Sequence, residues 1–330
     1  MANEVQSEIR KELLDAFTTA GDAFLSGQHL AEIIGCSRTA VWKHIEELRK
    51  EGFELEAVRN KGYRILKTPE KVTADEVRLG LTTNFIGRNI HYVESVESTQ
   101  KIAYHHASEN APEGTVVIAE EQLSGRGRMA RKWHSPKYTG IWMSMILRPN
   151  IPLSNAPQLT LLAAVAIVQA IEEMTDLIPE IKWPNDILIN GRKVTGILTE
   201  LQAEADRIHS IIIGIGINVN QKKEDFPLEL QEIATSLFIE EEGKTLSRAE
   251  LIRTIFKEFE KLYTLYLDQG FLPIKLLWEG YASSIGKYIK ARTLNNTIEG
   301  KALGITNDGV LQLEDGTGRI HHIYSADIEI

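Results

Sequence analysis

Cysteine is nearly absent: Cys36 is the single one in 330 residues. That excludes a disulfide framework and a cysteine-rich zinc site, and it suits a reducing compartment. The opening stretch MANEVQSEIRKELLDAF has neither a basic n-region nor an apolar h-region, so no signal peptide is expected. No apolar run is expected to be long enough to span a bilayer, and the expectation is a soluble, cytoplasmic protein. Positive charge is in deficit as well, with 37 Lys+Arg against 46 Asp+Glu and a net charge of −9. Such a chain does not coat nucleic acid wholesale, but it is compatible with one local basic patch. Internal repeats and low-complexity runs are missing. The length suits two or three domains, each able to bury a core, and we place them at 1–68, 69–280 and 281–330.

The first of these has helical spacing at Ile9, Leu13, Leu14 and Phe17. SGQHLAEIIG follows, with Ser26 as N-cap, Leu30, Ile33 and Ile34 as the apolar face and Gly35 as the stop. In SRTAVWKHIEELRKEG, Ser37 caps, Val41, Ile45 and Leu48 share a face, and Gly52 ends the helix. Two short helices across a Gly-Cys turn spell helix-turn-helix. FELEAVRNKGYRIL then reads as two strands around Asn60–Gly62, a wing. The outer face of the second helix carries Arg38, Thr39, Trp42, Lys43 and Arg49. Residues 36–67 hold eight Lys/Arg against five Asp/Glu. A solvated helix in a three-helix bundle explains the charges alone. The basic bias with the appended wing favours DNA binding through Ser37, Arg38, Thr39, Trp42, Lys43 and Lys61.

TPEKVTADEV, residues 68–77, reads as a linker entering a helix. Strands and helices then alternate. GTVVIAEEQ, GIWMSMIL and RIHSIIIGIGINVN are strands, and QLTLLAAVAIVQAIEEMT is a central helix. IKWPNDILIN and KVTGILTELQ form a hairpin across Asn190-Gly191. Residues 247–269 are an amphipathic helix. The expectation is an α+β protein whose middle domain has a largely antiparallel sheet. After residue 280, short strands separated by NN, NDG and EDGTG turns read as a small β-barrel.

GRGRMARKW, Gly125 to Trp133, puts four cations into nine residues. It has neither the P-loop nor the G-x-G-x-x-G spacing. Glycines let backbone N–H groups approach an anion, arginine forks grip carboxylate or phosphate at two points, and Trp133 adds a flat aromatic face. The expected object is a flexible loop that orders over an anionic ligand. A surface loop touching nucleic acid uses the same residues, and the loop alone does not choose. KWPND adds Lys182, Asn185 and Asp186 at a strand end, and Lys193 starts the return strand with Gly196 three residues on. Together they suit a carboxylate, a phosphate and a metal ion, although solvated hairpin ends explain each residue singly. Gly214 and Gly216 make room for a ligand or for tight sheet packing. Ser98, Thr99 and Gln100 cap a helix or meet an uncharged polar ligand group.

VESTQ, EEQLSGRGRMARKW, KWPNDI, GRKVTGIL and GIGINVN, in that order, closely resemble biotin protein ligases. With the winged helix-turn-helix in front, the whole chain resembles the bifunctional ligases that also repress biotin genes. Ala130 departs from the pattern, standing where many relatives carry glycine. The resemblance implies a class II synthetase-like central domain and an SH3-like C-terminal barrel. It implies biotinyl-5′-AMP made from biotin and ATP with Mg²⁺, and biotin passed to a lysine of the biotin carboxyl carrier protein. It implies biotin contacts from Ser98, Thr99, Gln100, Gln122, Arg126, Gly127, Arg128, Lys193, Gly196, Gly214 and Gly216. It places Arg131, Trp133, Lys182, Asn185, Asp186 and Asn218 on the nucleotide, with Asp186 on the metal. Lys193, Arg126 and Arg128 would be catalytic. A liganded homodimer on operator DNA is implied too. The rival readings are a lipoate-type ligase, a biotin-sensing repressor without catalysis, and a ligase whose helix-turn-helix is vestigial.

Overall fold

Leu13, Leu14 and Phe17 are buried on the first helix, α1 (Ala2–Ala20), as their spacing requires. This is a computed structural model, and it describes residues 2–50, 53–67, 71–204, 207–293 and 296–329. The chain divides into two compact units, Met1–Thr82 and Thr83–Ile330.

In the first unit, α2 (Gly27–Ile33) starts on Ser26, whose Oγ accepts from the His29 amide at 3.1 Å. Leu30 and Ile34 are buried, but Ile33 is 41 % exposed. This corrects the expected face: residues four apart share a helix side, and Ile33 is turned away from that line. α3 (Arg38–Lys50) starts on Ser37, whose Oγ accepts from the Ala40 amide at 3.2 Å. Val41, Ile45 and Leu48 are fully buried and pack with Leu13, Leu14, Leu30 and Phe53. Gly52 and residues 68–70 lie outside the described residues. The wing is β1 (Glu54–Val58) antiparallel to β2 (Gly62–Lys67). Gly62 sits at φ +112°, and a Cβ there would fall 1.9 Å from the Leu25 carbonyl oxygen. That approach lets Leu25 and Tyr63 exchange backbone hydrogen bonds at 2.9 and 2.8 Å, so the wing is stitched to the helices. α4 (Ala74–Arg78), capped by Thr73, follows, and Leu79 packs on the same core.

The second unit is built on a seven-stranded sheet. Its strands are β3 (Ile90–Val96), β4 (Val116–Gln122), β5 (Gly140–Leu147), β6 (Glu180–Lys182), β7 (Asp186–Ile189), β8 (Arg192–Glu204) and β9 (Arg207–Asn218). The spatial order is β3-β4-β5-β9-β8-β7-β6. Only β3 and β4 run parallel, and α5 (Thr99–Ser108) connects them. The Asn190-Gly191 hairpin forms with both residues at positive φ, +50° and +76°, the twist that a two-residue hairpin needs. α6 (Ala156–Met174) is buried along most of its length. The stretch Leu153–Met174 is long and apolar enough to cross a membrane by length and composition, which corrects the expectation from sequence. Here 72 % of its apolar window is buried inside the fold, so it works as a core helix. α7 (Leu237–Glu240), α8 (Arg248–Gln269) and α9 (Leu272–Tyr281) complete the helical layer.

At the start of α8, Arg248 meets Glu120 of β4 at 2.7 Å with both side chains almost fully buried, and it donates to the Gly140 carbonyl at 3.1 Å. Removing one partner of such a pair costs about 3–5 kcal/mol. It ties α8 to β4 and β5, two of the strands that carry the site. The tail forms a five-stranded antiparallel sheet from β10 (Tyr288–Arg292), β11 (Thr297–Ile305), β12 (Leu311–Glu314), β13 (Ile320–Ile323) and β14 (Asp327–Glu329), ordered β13-β12-β11-β10-β14.

Candidate active site

The expected cationic loop is a folded hairpin. The Gly127 amide donates to the Arg131 carbonyl at 2.8 Å and the Trp133 amide to the Gly125 carbonyl at 2.9 Å. Its tip turns through Met129 and Ala130, both left-handed at φ +55° and +57°. That conformation costs an L-residue roughly 1–2 kcal/mol, a strain that a glycine at position 130 would avoid. The flexibility expected from composition is therefore offset by hydrogen bonds along the hairpin and by side-chain contacts at its arginines. Arg128 donates to Asn185 Oδ1 at 3.1 Å and to Ser325 Oγ at 2.7 Å. Arg131 makes a two-point contact with the Asp327 carboxylate. That contact raises the Arg131 pKa and holds Asp327 below the usual carboxylate range, whereas burial lowers Arg128.

The hairpin borders a cavity of about 550 Å³, which every expected biotin and nucleotide residue lines. Its floor comes from β8 and β9, where Gly196 and Gly216 face each other in register. A Cβ on Gly216 would lie 2.4 Å from Trp133 Nε1, and one on Gly196 would lie 2.9 Å from the same ring. One on Gly214 would lie 2.6 Å from Gln100 Oε1. The glycines make room first for two side chains of the protein, and those side chains shape the cavity. Gly216→Val is expected to unseat the indole and weaken nucleotide binding by roughly tenfold or more. Nucleotide titration with a tryptophan emission spectrum checks it; an unchanged affinity would separate Trp133 from the nucleotide.

One wall is polar and internally wired. Gln122 Oε1 accepts from the Thr99 amide at 2.9 Å and from Thr99 Oγ1 at 3.1 Å, and Gln122 Nε2 donates to Ser135 Oγ at 3.1 Å. Ser144 Oγ lies 2.8 Å from Thr99 Oγ1 and donates to Gln100 Oε1 at 2.9 Å. Gln100 Nε2 donates to the Ile212 carbonyl at 3.2 Å. The amide of Gln100 is thus committed to the wall. Ser98 is buried at the N-cap of α5 without a side-chain cap bond.

On the opposite side, Lys193 Nζ lies 2.6 Å from Asp186 Oδ1 and 5.3 Å from the centre of a Trp133 ring. Its backbone is clamped by residues 233 and 235, through Lys193 N to Ile233 O and Thr235 N to Lys193 O, each at 2.9 Å. Asn218 holds that same segment, donating to the Thr235 carbonyl at 3.0 Å. Asn185 is buried and donates to the Ile197 carbonyl at 2.8 Å. Lys182 pairs across the β6–β7 turn with Asp186. Arg126 and Lys132 face each other across the hairpin and are exposed. No group of three or more His, Cys, Asp or Glu placed to hold a metal ion occurs among the described residues. Mg²⁺ does not need one, because it takes one or two carboxylates plus phosphate oxygens and water. Asp186, largely buried at the edge of the cavity, fits that role.

Sequence reading missed Ser135 and Ser144, which wire the wall, and Leu230, Ile233 and Ala234, which line the far side. It also missed Ser325 and Asp327. Asp327 lies 196 residues from Arg131 along the chain, and no spacing rule reaches that far.

In the first unit, Ser37, Arg38, Thr39, Lys43 and Lys61 are exposed, as is Trp42 at 52 %. Arg64 and Lys61 lie over the Phe24 ring at 4.7 and 5.7 Å. Arg49 differs from expectation: it pairs with Glu46 at 2.6 Å and donates to the Leu55 carbonyl at 3.0 Å, so it braces α3 against the wing.

Three family models match. They are the biotin/lipoate A/B protein ligase family over residues 92–218, a helix-turn-helix domain over 10–64 and the biotin protein ligase C terminal domain over 284–330. The fold and cavity define a carboxylate-activating ligase on the same chain as a helix-turn-helix unit. The bifunctional ligase/repressor BirA of Bacillus subtilis (strain 168) is 58 % identical over 326 residues, covering 99 % of this chain and 100 % of that one. The Escherichia coli (strain K12) protein of the same name is 30 % identical, with 89 % of each chain covered. The structure of biotin protein ligase from Aquifex aeolicus in complex with biotin and ATP superposes with a TM-score of 0.65 at 30 % identity, over 73 % of this chain and 99 % of that one. The chain belongs to the bifunctional ligase/repressor family of biotin protein ligases.

Proposed function

We propose that this chain joins biotin to ATP as biotinyl-5′-AMP, releases pyrophosphate, and transfers the biotinyl group to a lysine of the biotin carboxyl carrier protein. The observation that carries this is the convergence of Arg126, Arg128 and Lys193 on one cavity with a two-glycine floor. The biotin carboxylate is the nucleophile. It attacks the α-phosphorus and pyrophosphate leaves. The carrier lysine amine then attacks the acyl carbon and AMP leaves. No side-chain nucleophile is required.

The difficulty of the first step is the approach of two anions. Opposite unit charges 4 Å apart attract by roughly 4 kcal/mol at an effective dielectric near 20, against about 1 kcal/mol in water. Arg126, Arg128 and Lys193 offset the repulsion, and the hairpin keeps water from the acyl phosphate. Lys193 bridges the biotin carboxyl and the phosphate. Ser98, Thr99 and Gln122 meet the biotin ring system, with Gln100, Gly127, Gly196, Gly214 and Gly216 shaping its space. Arg131, Trp133, Lys182, Asn185 and Asn218 serve the nucleotide side. Asp186 would hold Mg²⁺, which neutralises phosphate charge. Pyrophosphate release with ATP and Mg²⁺, with and without biotin, tests the reading. Biotin-dependent release and a mass gain on apo carrier domain support it, and lipoate-dependent release would overturn it.

The second activity is repression of biotin genes in the cytoplasm. The helix-turn-helix unit binds operator DNA as a homodimer when biotinyl-5′-AMP is held, because a ligand shifts an equilibrium only through differential affinity. DNA binding falls to the unit Met1–Thr82, a boundary later than the expected 68 because Leu79 packs on its core, and catalysis falls to the unit Thr83–Ile330. Arg38→Ala and Lys43→Ala are each expected to weaken operator binding, and loss of a phosphate contact lowers the salt slope by about one. Footprinting across a salt series checks this, and unaltered slopes and affinity in both would move the DNA interface elsewhere.

A further inference from the structure

β14 (Asp327–Glu329) and the two residues that lead into it face two ways. Ala326 and Ile328 are buried, while Asp327 between them is half-buried and Ser325 is exposed. Alternation within β14 sends Asp327 to the face opposite Ile328, and Ser325, in the bend just before the strand, reaches the catalytic hairpin through Arg128. Asp327 lines the cavity. Its Oδ1 accepts from Arg131 Nη1 at 3.2 Å, and its Oδ2 accepts from Arg131 Nη2. Arg128 is gripped from both sides, by Ser325 Oγ at 2.7 Å and Asn185 Oδ1 at 3.1 Å. The hairpin needs such support, because Met129 and Ala130 both hold left-handed backbone that side chains disfavour.

We propose that Asp327 and Ser325 are positioning residues for adenylate formation: the C-terminal sheet latches the cationic hairpin in its closed shape, with Arg128 and Arg131 already aimed. The inference rests on the adenylation reading of the cavity. Its physical content is preorganisation. Donors fixed beforehand lose less freedom when the phosphates of ATP arrive. The Arg131 contact holds Asp327 below the usual carboxylate range, so the latch is present near neutrality and is lost only as pH falls through that lowered value.

The test uses the full chain with Asp327→Asn, Ser325→Ala and Asp327→Glu, read in two ways. Biotin-dependent pyrophosphate exchange gives KM for ATP and kcat. Limited trypsin digestion reports cleavage after Arg126, Arg128 and Arg131. Asp327→Asn is expected to raise KM for ATP by roughly tenfold, with a smaller fall in kcat, and to speed cleavage within the hairpin. Ser325→Ala does the same to a lesser degree, and Asp327→Glu recovers both readouts. Wild-type KM and wild-type hairpin cleavage in Asp327→Asn and Ser325→Ala would overturn the proposal. So would an equal loss of activity in Asp327→Glu. If the wild-type chain shows no biotin-dependent exchange, the adenylation reading fails, while the trypsin arm still decides whether the latch exists.

Discussion

Lys193→Ala is expected to lower adenylate formation by about a hundred- to a thousandfold, the range for removing one preorganised stabiliser of developing charge. Lys193 is placed by other parts of the molecule. Its ammonium sits 2.6 Å from Asp186 Oδ1 and over Trp133. Its backbone is held from both sides by residues 233 and 235. The Lys193 side chain is 32 % exposed and that of Asp186 24 %, so water can reach the carboxylate left behind and the fold is expected to survive. Single-turnover pyrophosphate release, with near-UV circular dichroism as the control, measures the effect. A folded variant with wild-type rates would take Lys193 out of the mechanism. Asp186 is left without its partner in that variant, so the loss should exceed that in Lys193→Arg, which keeps the charge and changes the reach.

Removing residues 1–82 is expected to abolish operator binding and leave a folded remainder. The cut belongs at the boundary after Thr82, not after the wing. Leu79 packs on the core formed by Leu13, Leu30 and Val41, and a cut after the wing strands that leucine. A truncated chain that still protects the operator would place DNA recognition in the second unit. Circular dichroism and biotin-dependent pyrophosphate release, measured on the same truncated chain, show whether the remainder is intact.

How far the sequence reached differs from place to place. The helix-turn-helix was legible because caps, turn glycine and apolar spacing all act within a few residues. Ile33 was misjudged because three- and four-residue spacings both suit a helix face, and only packing chooses. The Asn190-Gly191 hairpin was legible for the same local reason. α6 was read as central and is so; its length and composition also suit a membrane span, and its burial inside the fold is what makes it a core helix. The cationic loop was found by its charge. Its shape was not, because Ser325 and Asp327 are remote in the chain.

By itself, then, the sequence determined the elements and the chemistry: which stretches are helices or strands, where the cations gather, and which ligand family they suit. Those properties follow from local propensity, periodicity and residue type. Only the tertiary structure decided what each group touches. It set Gly196 against Gly216 under Trp133, wired Thr99 through Gln122 to Ser135, and brought Asp327 to Arg131. Such contacts join segments tens to hundreds of residues apart, and it is the register of the sheet and the packing of the C-terminal sheet on the hairpin that set them.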